Sequence, residues 1–566
     1  MTRRIRIEST KKQAIETART RLLIGGTLMA AAFLVVGVRL FDIVVLNEHD
    51  DIHSAATRDI VRPQTMSRAD IVDRNGVLLA TSLPTASLFA NPRKVTDPAA
   101  AAARIVEVIP DLSEEVVAAR LASDRSFVWI RRNLTPTQQF EINRLGIPGL
   151  DFEAEERRVY PHGRLAGHIV GFTNVDNLGL AGIEQSMDAA IAGAKTPLQL
   201  SIDIRVQQIV RQELASQIEK FKAIGGGAIV LDVRTGEVVS MVSLPDFDPN
   251  APAQAPDETR FNRITLGVYE LGSVFKIFNH AIALETGAAS MSKTYDARKP
   301  IRISRFRISD FHPENRVLTV PEIFKVSSNI GSAKMALDIG SERQRQYLGH
   351  LGLLRRTSIE LPEQALPMIP TQWREINTMT IAYGHGIAVS PLHLASAVAA
   401  SVNGGILRPA TLIRSKTSET GGVQVFSKET SDKMRRLLRL VVENGTGRNA
   451  DAPGYLVGGK TGTAEKQVNG SYKRNALISS FVGVFPVTEP RFVVYAMVDE
   501  PKGIKESFGY ATGGWTAAPV VGAVIKRMAP LFGIAPLDES APEIIRALTV
   551  NATDGPAAGT PRHATN

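Results

Sequence analysis

The strongest constraint on this chain is a run of 17 residues without a charge, Leu22 to Val38, with the apolar pattern resuming after Arg39 through Leu46. At 1.5 Å per residue the charge-free run reaches about 25 Å as a helix and the extended stretch about 37 Å, enough to cross a bilayer core of about 30 Å. One membrane-spanning helix over residues 22–46 is expected. A cleaved signal peptide would have a shorter apolar region and a small-residue site soon after it, whereas Asn47-Glu48-His49-Asp50-Asp51 follows. Met1 to Arg21 carry seven basic side chains against Glu8 and Glu16, which is +5 of the chain's net +9. The positive-inside bias makes residues 1–21 a cytoplasmic tail and puts everything after about residue 47 outside. Arg39 and Asp42, three apart, share a helical face near the outer interface, as a pair or against a partner helix; simple snorkelling of Arg39 fits equally well.

The same charge distribution argues against nucleic acid, because the other 545 residues hold only +4, the excess of an ordinary solvated surface. The absence of cysteine excludes disulfides, thiolate catalysis and cysteine-based metal sites. A chain of 566 residues predicts two or three folded units.

Ile71 to Leu79 reads as two short strands around the turn Asn75-Gly76. Ala99 to Leu121 has helical spacing, and the Gly-dense stretch Tyr160 to Gly182 suits a linker or clamp more than a core. A second domain begins near Gln199-Leu200-Ser201-Ile202-Asp203. Gly227 to Val242 predicts a hairpin turning at Arg234-Thr235-Gly236, and further strands are expected at Ile478 to Phe485 and Phe492 to Val498. Early and late strands around a helical middle imply an α/β sandwich whose sheet is completed by distant segments. Residues 551–566 are Gly/Ala/Pro/Thr-rich and are expected to be disordered.

Three short patterns carry chemistry. Ser273-Val274-Phe275-Lys276 opens a helical pattern, and residues i and i+3 share a face, so the amine can reach the hydroxyl. A serine hydroxyl must pass its proton to an adjacent base, and a lysine serves only if burial or neighbouring cations lower its pKa. Gly272 lets the backbone bend closely there, and the helix N-terminus favours a developing oxyanion. Ser327-Ser328-Asn329 ends the helix-like stretch Val320 to Val326 and offers a hydroxyl to relay a proton and an amide to hold a substrate. Lys460-Thr461-Gly462-Thr463 reads as a strand whose ammonium and hydroxyls suit a carboxylate, with a backbone N–H to complete an oxyanion hole. Gly454-x4-Gly459-Lys460-Thr461 also satisfies the phosphate-loop pattern. A phosphate loop needs a strand before it and a helix after it, and Asn449 to Pro453 and Gly462 argue against both.

S-x-x-K, S-x-N and K-T-G in this order are the set shared by penicillin-binding proteins and class A β-lactamases. On these residues the chain resembles the class B penicillin-binding proteins, most closely their cell-division transpeptidases. The likeness runs from Arg3 to about Ala535. It includes Arg68 to Gly76, Arg158-Val159-Tyr160-Pro161, Gly179-Leu180-Ala181-Gly182-Ile183-Glu184 and Tyr383-Gly384-His385-Gly386. The resemblance implies a β-lactamase-like α/β transpeptidase domain, residues 199–535, on an elongated α+β pedestal of the dimerisation type, residues 55–195. It implies that Ser273 is acylated by a D-Ala-D-Ala stem with Lys276 as base, that Ser327 and Asn329 assist, and that Lys460, Thr461, Gly462 and Thr463 receive the terminal carboxylate. No cofactor or metal is implied. The implied partners are peptidoglycan stem peptides, β-lactams and a polytopic septal glycan polymerase of the FtsW type with other division proteins, at the inner membrane of the septum and with the catalytic domain periplasmic. Leu271, Ala69 and His385 depart from the usual proline, glycine and glutamine, all at flanking positions.

A class A β-lactamase would carry a Glu-x-x-x-Asn element between Asn329 and Lys460, and none stands there. A simple carboxypeptidase would lack Arg68 to Gly76. The elongation transpeptidase is the nearest rival, but Ser327 to Gly331, Lys460 to Glu465 and Trp515-Thr516-Ala517-Ala518-Pro519 look more like the division enzyme. A non-catalytic division scaffold or a penicillin sensor is the reading from a different class; a scaffold would tolerate loss of the triad, and every member is present.

Overall fold

The structure is a computed structural model that describes residues 10–41 and 67–550, apart from 304–305, 416–420 and 469–470. The expected tail 551–566, residues 42–46 of the expected span with Asp42, and the first pedestal residues 55–66 lie outside the described residues. The chain forms two units, Met1–Met66 and Ser67–Asn566.

In the first unit, one helix runs from Thr10 to Phe41. Leu23, Ile24, Leu28, Met29, Phe33 and Leu34 all stand exposed on it. Among the described residues, no helix is long and apolar enough to cross a membrane.

The second unit is built on a five-stranded antiparallel sheet in the order Gly458–Val468, Ser471–Phe485, Phe492–Asp499, Gly225–Asp232, Val238–Leu244. Its first two strands in sequence thus lie beside its last three, as expected, with Ala228 opposite Ala496 and Lys460 opposite Val482. Helices cover both faces, so the central strands Gly225–Asp232 and Phe492–Asp499 are buried at every position rather than alternately. Val230, Val494 and Phe481 point to a core shared with helices Ile204–Lys220 and Gly513–Met528. Ile229, Tyr495 and Val482 point the other way, to helices Lys276–Glu285, Pro391–Val402 and Lys428–Asn444. Residues Lys276 to Ala283 are all buried, so the first of these helices is a central one.

A second sheet joins Ile71–Val72, Leu78–Ala90, Val128–Leu134, Leu150–Val159 and Leu198–Gln199. The hairpin expected at Ile71 to Leu79 forms: Gly76 takes φ 84°, and Asp73 Oδ1 accepts the N–H groups of Asn75 (2.7 Å) and Val77 (2.9 Å). The helical stretch 99–121 is two helices, Pro98–Val108 and Glu114–Leu121, because Pro110 cannot continue the first. Leu198–Gln199 pairs parallel with Ile71–Val72 just before the expected start of the second domain, and both sheets belong to the one compact unit.

The stretch 160–182 is corrected in part. Gly167, His168, Ile169 and Val170 are buried, as are Ile183 and Glu184 just after it, whereas Val175, Leu178 and Leu180 between them are exposed. Its glycines serve tight packing, since a Cβ on Gly171 would meet Ala181 O at 1.9 Å. Here three separated sequence motifs meet at one carboxylate. Glu184 Oε2 accepts from Arg68 Nε (3.0 Å) and Nη2 (2.7 Å), and Oε1 accepts from Arg158 Nε (2.7 Å). Past Ala535 the chain remains attached, with Glu539 accepting from Arg439 Nη2 and the Gly454 N–H, each at 2.6 Å.

Candidate active site

Ser273 lies in the 3-10 turn Gly272–Phe275 that leads into the central helix. The turn is wedged between two backbones. A Cβ on Gly272 would meet Thr463 O at 2.6 Å, and one on Gly384 would meet Gly272 O at 2.1 Å. Gly272 (φ 61°) and Gly384 (φ 81°) also hold left-handed backbone that favours glycine. The Tyr383-Gly384-His385-Gly386 motif is thereby explained: it buttresses the serine turn, and Gly384 O accepts the Gly272 N–H at 3.3 Å.

The expected i to i+3 contact forms, with Lys276 Nζ 2.8 Å from Ser273 Oγ. Three more oxygens surround the amine: Ser327 O at 2.8 Å, Ser327 Oγ at 3.1 Å and Asn329 Oδ1 at 2.7 Å. The amide orientation of Asn329 is fixed, because its Nδ2 donates to Ser309 O at 3.1 Å. Ser327 O and Asn329 Oδ1 can only accept. A neutral lysine has two N–H groups for those two oxygens, which leaves its lone pair to the hydroxyls.

Ser327 follows helix Val320–Val326 in left-handed conformation, φ 61° and ψ 43°, a strain of roughly 1–3 kcal/mol for a residue with a Cβ. The strain turns its hydroxyl between two lysines, because Lys460 Nζ also donates to Ser327 Oγ at 2.9 Å. Lys460 is fully buried on strand Gly458–Val468, with Phe324 below its ammonium. The strand continues past Lys460 to Val468, so the phosphate-loop reading fails for want of a helix. Thr461 Oγ1 bonds Thr446 Oγ1 at 2.7 Å. Thr463 Oγ1 donates to Gly462 O at 2.8 Å and accepts the Gly513 N–H at 3.1 Å.

Burial is the first cause that holds the Lys276 amine well below its ordinary pKa; nearby Lys460 adds to it and Asp310 opposes it. Burial also pushes Lys460 down to about 7. The S-x-x-K, S-x-N and K-T-G residues Ser273, Lys276, Ser327, Asn329 and Lys460 are thus brought together, with Thr461, Gly462 and Thr463 continuing along one strand edge.

Sequence reasoning missed Asp310. Its Oδ2 accepts from Ser328 Oγ at 2.8 Å, and its Oδ1 accepts the N–H groups of Asn329 (2.6 Å) and Ile330 (2.9 Å), capping helix Asn329–Ile339. Nothing local marks it, since the residues it holds follow 18 to 20 positions later. Among the described residues, no group of three or more His, Asp or Glu side chains is placed to hold a metal.

Residues 226–526 match the family model described as the penicillin binding protein transpeptidase domain, and residues 63–220 match the penicillin-binding protein dimerisation domain. The chain is 41% identical over 483 residues, 83% of its length and 82% of the relative's, to the probable peptidoglycan D,D-transpeptidase FtsI of Caulobacter vibrioides. To the peptidoglycan D,D-transpeptidase FtsI of Escherichia coli it is 29% identical over 555 residues, 92% of each chain. Among solved structures, penicillin binding protein 3 of Mycobacterium tuberculosis in complex with aztreonam shares the fold, with a TM-score of 0.67 at 24% identity over 84% of this chain and 98% of that one. The transpeptidase domain of Burkholderia pseudomallei penicillin-binding protein 3 is 33% identical, with a TM-score of 0.54 over 60% of this chain and 98% of that one. The model match alone spans more than half of the sequence, and the likeness to a relative extends over most of it: the chain belongs to the penicillin-binding protein transpeptidase family.

Proposed function

We propose that the chain is a peptidoglycan D,D-transpeptidase of the division septum, acylated by its substrate on Ser273. The observation that carries the catalytic reading is the surroundings of Lys276 Nζ, with the Ser273 hydroxyl 2.8 Å away and two acceptor-only oxygens taking the N–H groups of the neutral amine. Lys276 takes the Ser273 proton as Oγ attacks the carbonyl carbon of the penultimate D-alanine. Ser327, within reach of both lysines, relays that proton to the departing D-alanine amine. Lys460, Thr461 and Thr463 on the strand edge hold the terminal carboxylate, with the backbone at Gly462 close against the serine turn. The ester on Ser273 then passes to an amine of a second stem. A β-lactam enters by the same attack, but its leaving amine stays tethered.

The septal role is supported by the naming of two relatives as FtsI. Residues 22–46 form the single membrane span, with residues 1–21 cytoplasmic and the remainder periplasmic; the support is the basic cluster before a charge-free run. Residues 55–195 act as the pedestal and 199–535 as the transpeptidase domain. A polytopic glycan polymerase of the FtsW type is the expected membrane partner.

Labelling with a fluorescent penicillin, followed by mass-spectrometric mapping of the adduct, tests the nucleophile. The label is expected on Ser273 and absent from Ser273→Ala; labelling that survives this substitution refutes the assignment. Depletion is expected to give filaments, whereas round swollen cells would favour the elongation role.

A further inference from the structure

The groups around Ser273 described above serve the donor stem. The second substrate of a cross-linking reaction is an amine, which arrives in water as an ammonium ion. Its reception requires a negative charge near Ser273, and its attack requires the loss of a proton.

Glu270 meets that requirement. It stands three residues before Ser273, and its side chain is 13% exposed. Its carboxylate is held from two other segments. The Gly386 N–H donates to Oε1 at 2.9 Å, and the Tyr472 hydroxyl, from the hairpin that carries the K-T-G strand, lies 3.3 Å from Oε1 and 3.0 Å from Oε2. His385 Nδ1 is 3.9 Å from Oε2. Among the described residues no lysine or arginine pairs with it, whereas buried Glu184 and Glu237 each hold two arginines and Asp499 pairs with Lys466 and Arg263. Nor does His385 neutralise it: burial, and then the charge of Lys276, push that imidazole down to about 4, so it is neutral at physiological pH. Burial raises the Glu270 pKa, against the hydrogen bonds from Gly386 and Tyr472. An uncompensated carboxylate with little water around it is expected to attract a cation and to be a better proton acceptor than an exposed one.

Its placement selects the acceptor over the donor. The donor's terminal carboxylate belongs with Lys460, Thr461 and Thr463, and a second anion would be repelled by Glu270. The serine turn separates the two, since the Thr463 backbone packs on one side of Gly272 and Gly384 on the other.

We propose that Glu270, oriented by Gly386 and Tyr472 and flanked by His385, receives the ammonium group of the second stem and takes a proton from it in the transfer half-reaction. The proposal rests on the reading of Ser273 as the acylated nucleophile. The ammonium gives one proton to Glu270, and the freed amine attacks the ester carbonyl carbon of acyl-Ser273, forming the C–N bond. The second proton leaves nitrogen through Lys276 to Ser273 Oγ as the C–Oγ bond breaks. The products are the amide, free Ser273 and protonated Glu270, which returns its proton to solvent.

The test uses the full chain in detergent, a D-alanyl thioester as donor and glycinamide as the amine probe. Acylation is followed as thiol release, and transfer as amide product against hydrolysis product. Glu270→Gln keeps the shape and is expected to lower the ratio of aminolysis to hydrolysis about 100-fold, the scale of a lost general base. Tyr472→Phe, at a more exposed position, is expected to lower it less and in the same direction. A proportional fall of acylation and transfer in both variants would make Glu270 a support of the serine turn and overturn the proposal, as would an unchanged ratio in Tyr472→Phe if Glu270→Gln does not fold. Failure of the Ser273 reading would appear separately, as penicillin labelling of Ser273→Ala.

Discussion

Replacing Lys460 by methionine should move the pH dependence of acylation in a direction that the structure fixes. The two amines lie 3.1 and 2.9 Å from the same Ser327 Oγ, which limits their separation to about 6 Å. At an effective dielectric of about 20, two positive charges at that distance repel by about 2.8 kcal/mol, more than a tenfold change in the ratio of neutral to protonated Lys276 while Lys460 is charged. Removing Lys460 therefore raises the proton affinity of Lys276. The neutral base then appears only at higher pH, and the acid limb of the rate of penicillin acylation shifts toward alkaline pH. Asp310 provides the opposite control. Its charge raises the Lys276 pKa, so Asp310→Asn should shift the same limb toward acid. The assay is the second-order rate of labelling by a fluorescent penicillin between pH 5 and 9, read for the position of the limb and not its height, because Lys460→Met also removes a proposed carboxylate-holding group and a hydrogen bond to Ser327 Oγ. An acid limb that stays in place, or moves toward acid, in Lys460→Met would refute the argument that the second lysine helps keep the first one neutral.

Three further outcomes are expected. Glu184→Gln leaves the buried guanidiniums of Arg68 and Arg158 without their shared anion, and should cost roughly 3–5 kcal/mol in urea unfolding, while folded protein still reacts with penicillin; a loss below about 1 kcal/mol would contradict the assigned role. Gly384→Ala drives a Cβ to 2.1 Å from Gly272 O at φ 81°, and should lower acylation more than tenfold through displacement of the serine turn, visible as slower labelling of a stably folded protein. His168, His280 and His385 have folded pKa values of about 4, 3 and 4 against 6.5 when unfolded, so protons favour the unfolded chain. The stability they contribute is whole above about pH 6.5 and is lost as the pH falls through those folded values; a urea midpoint that drops between pH 7.5 and 4.5, with a shallower drop in His168→Gln, checks this.

The sequence by itself determined what depends on near neighbours. The Ser273–Lys276 contact was legible because i and i+3 face one another in any helical turn, and the hairpin at Ile71 to Leu79 because Asn-Gly favours the left-handed turn that Gly76 adopts. The strands were legible from continuous apolar runs, and the family from the order of three motifs. Tertiary structure decided everything that joins distant residues. Asn329 reaches Lys276 across 53 positions, Lys460 reaches Ser327 across 133, and Glu184 reaches Arg68 across 116. Such pairings follow from sheet register and helix packing, for which local sequence carries no signal, and this is why the stretch 160–182 looked like a linker although Gly167 to Val170 within it are buried. It is also why Asp310 and Glu270 were passed over. Each is an ordinary carboxylate in sequence, and only the packing of distant chain segments decides that one of them holds Ser328 to Ile330 and that the other, among the described residues, meets no lysine or arginine.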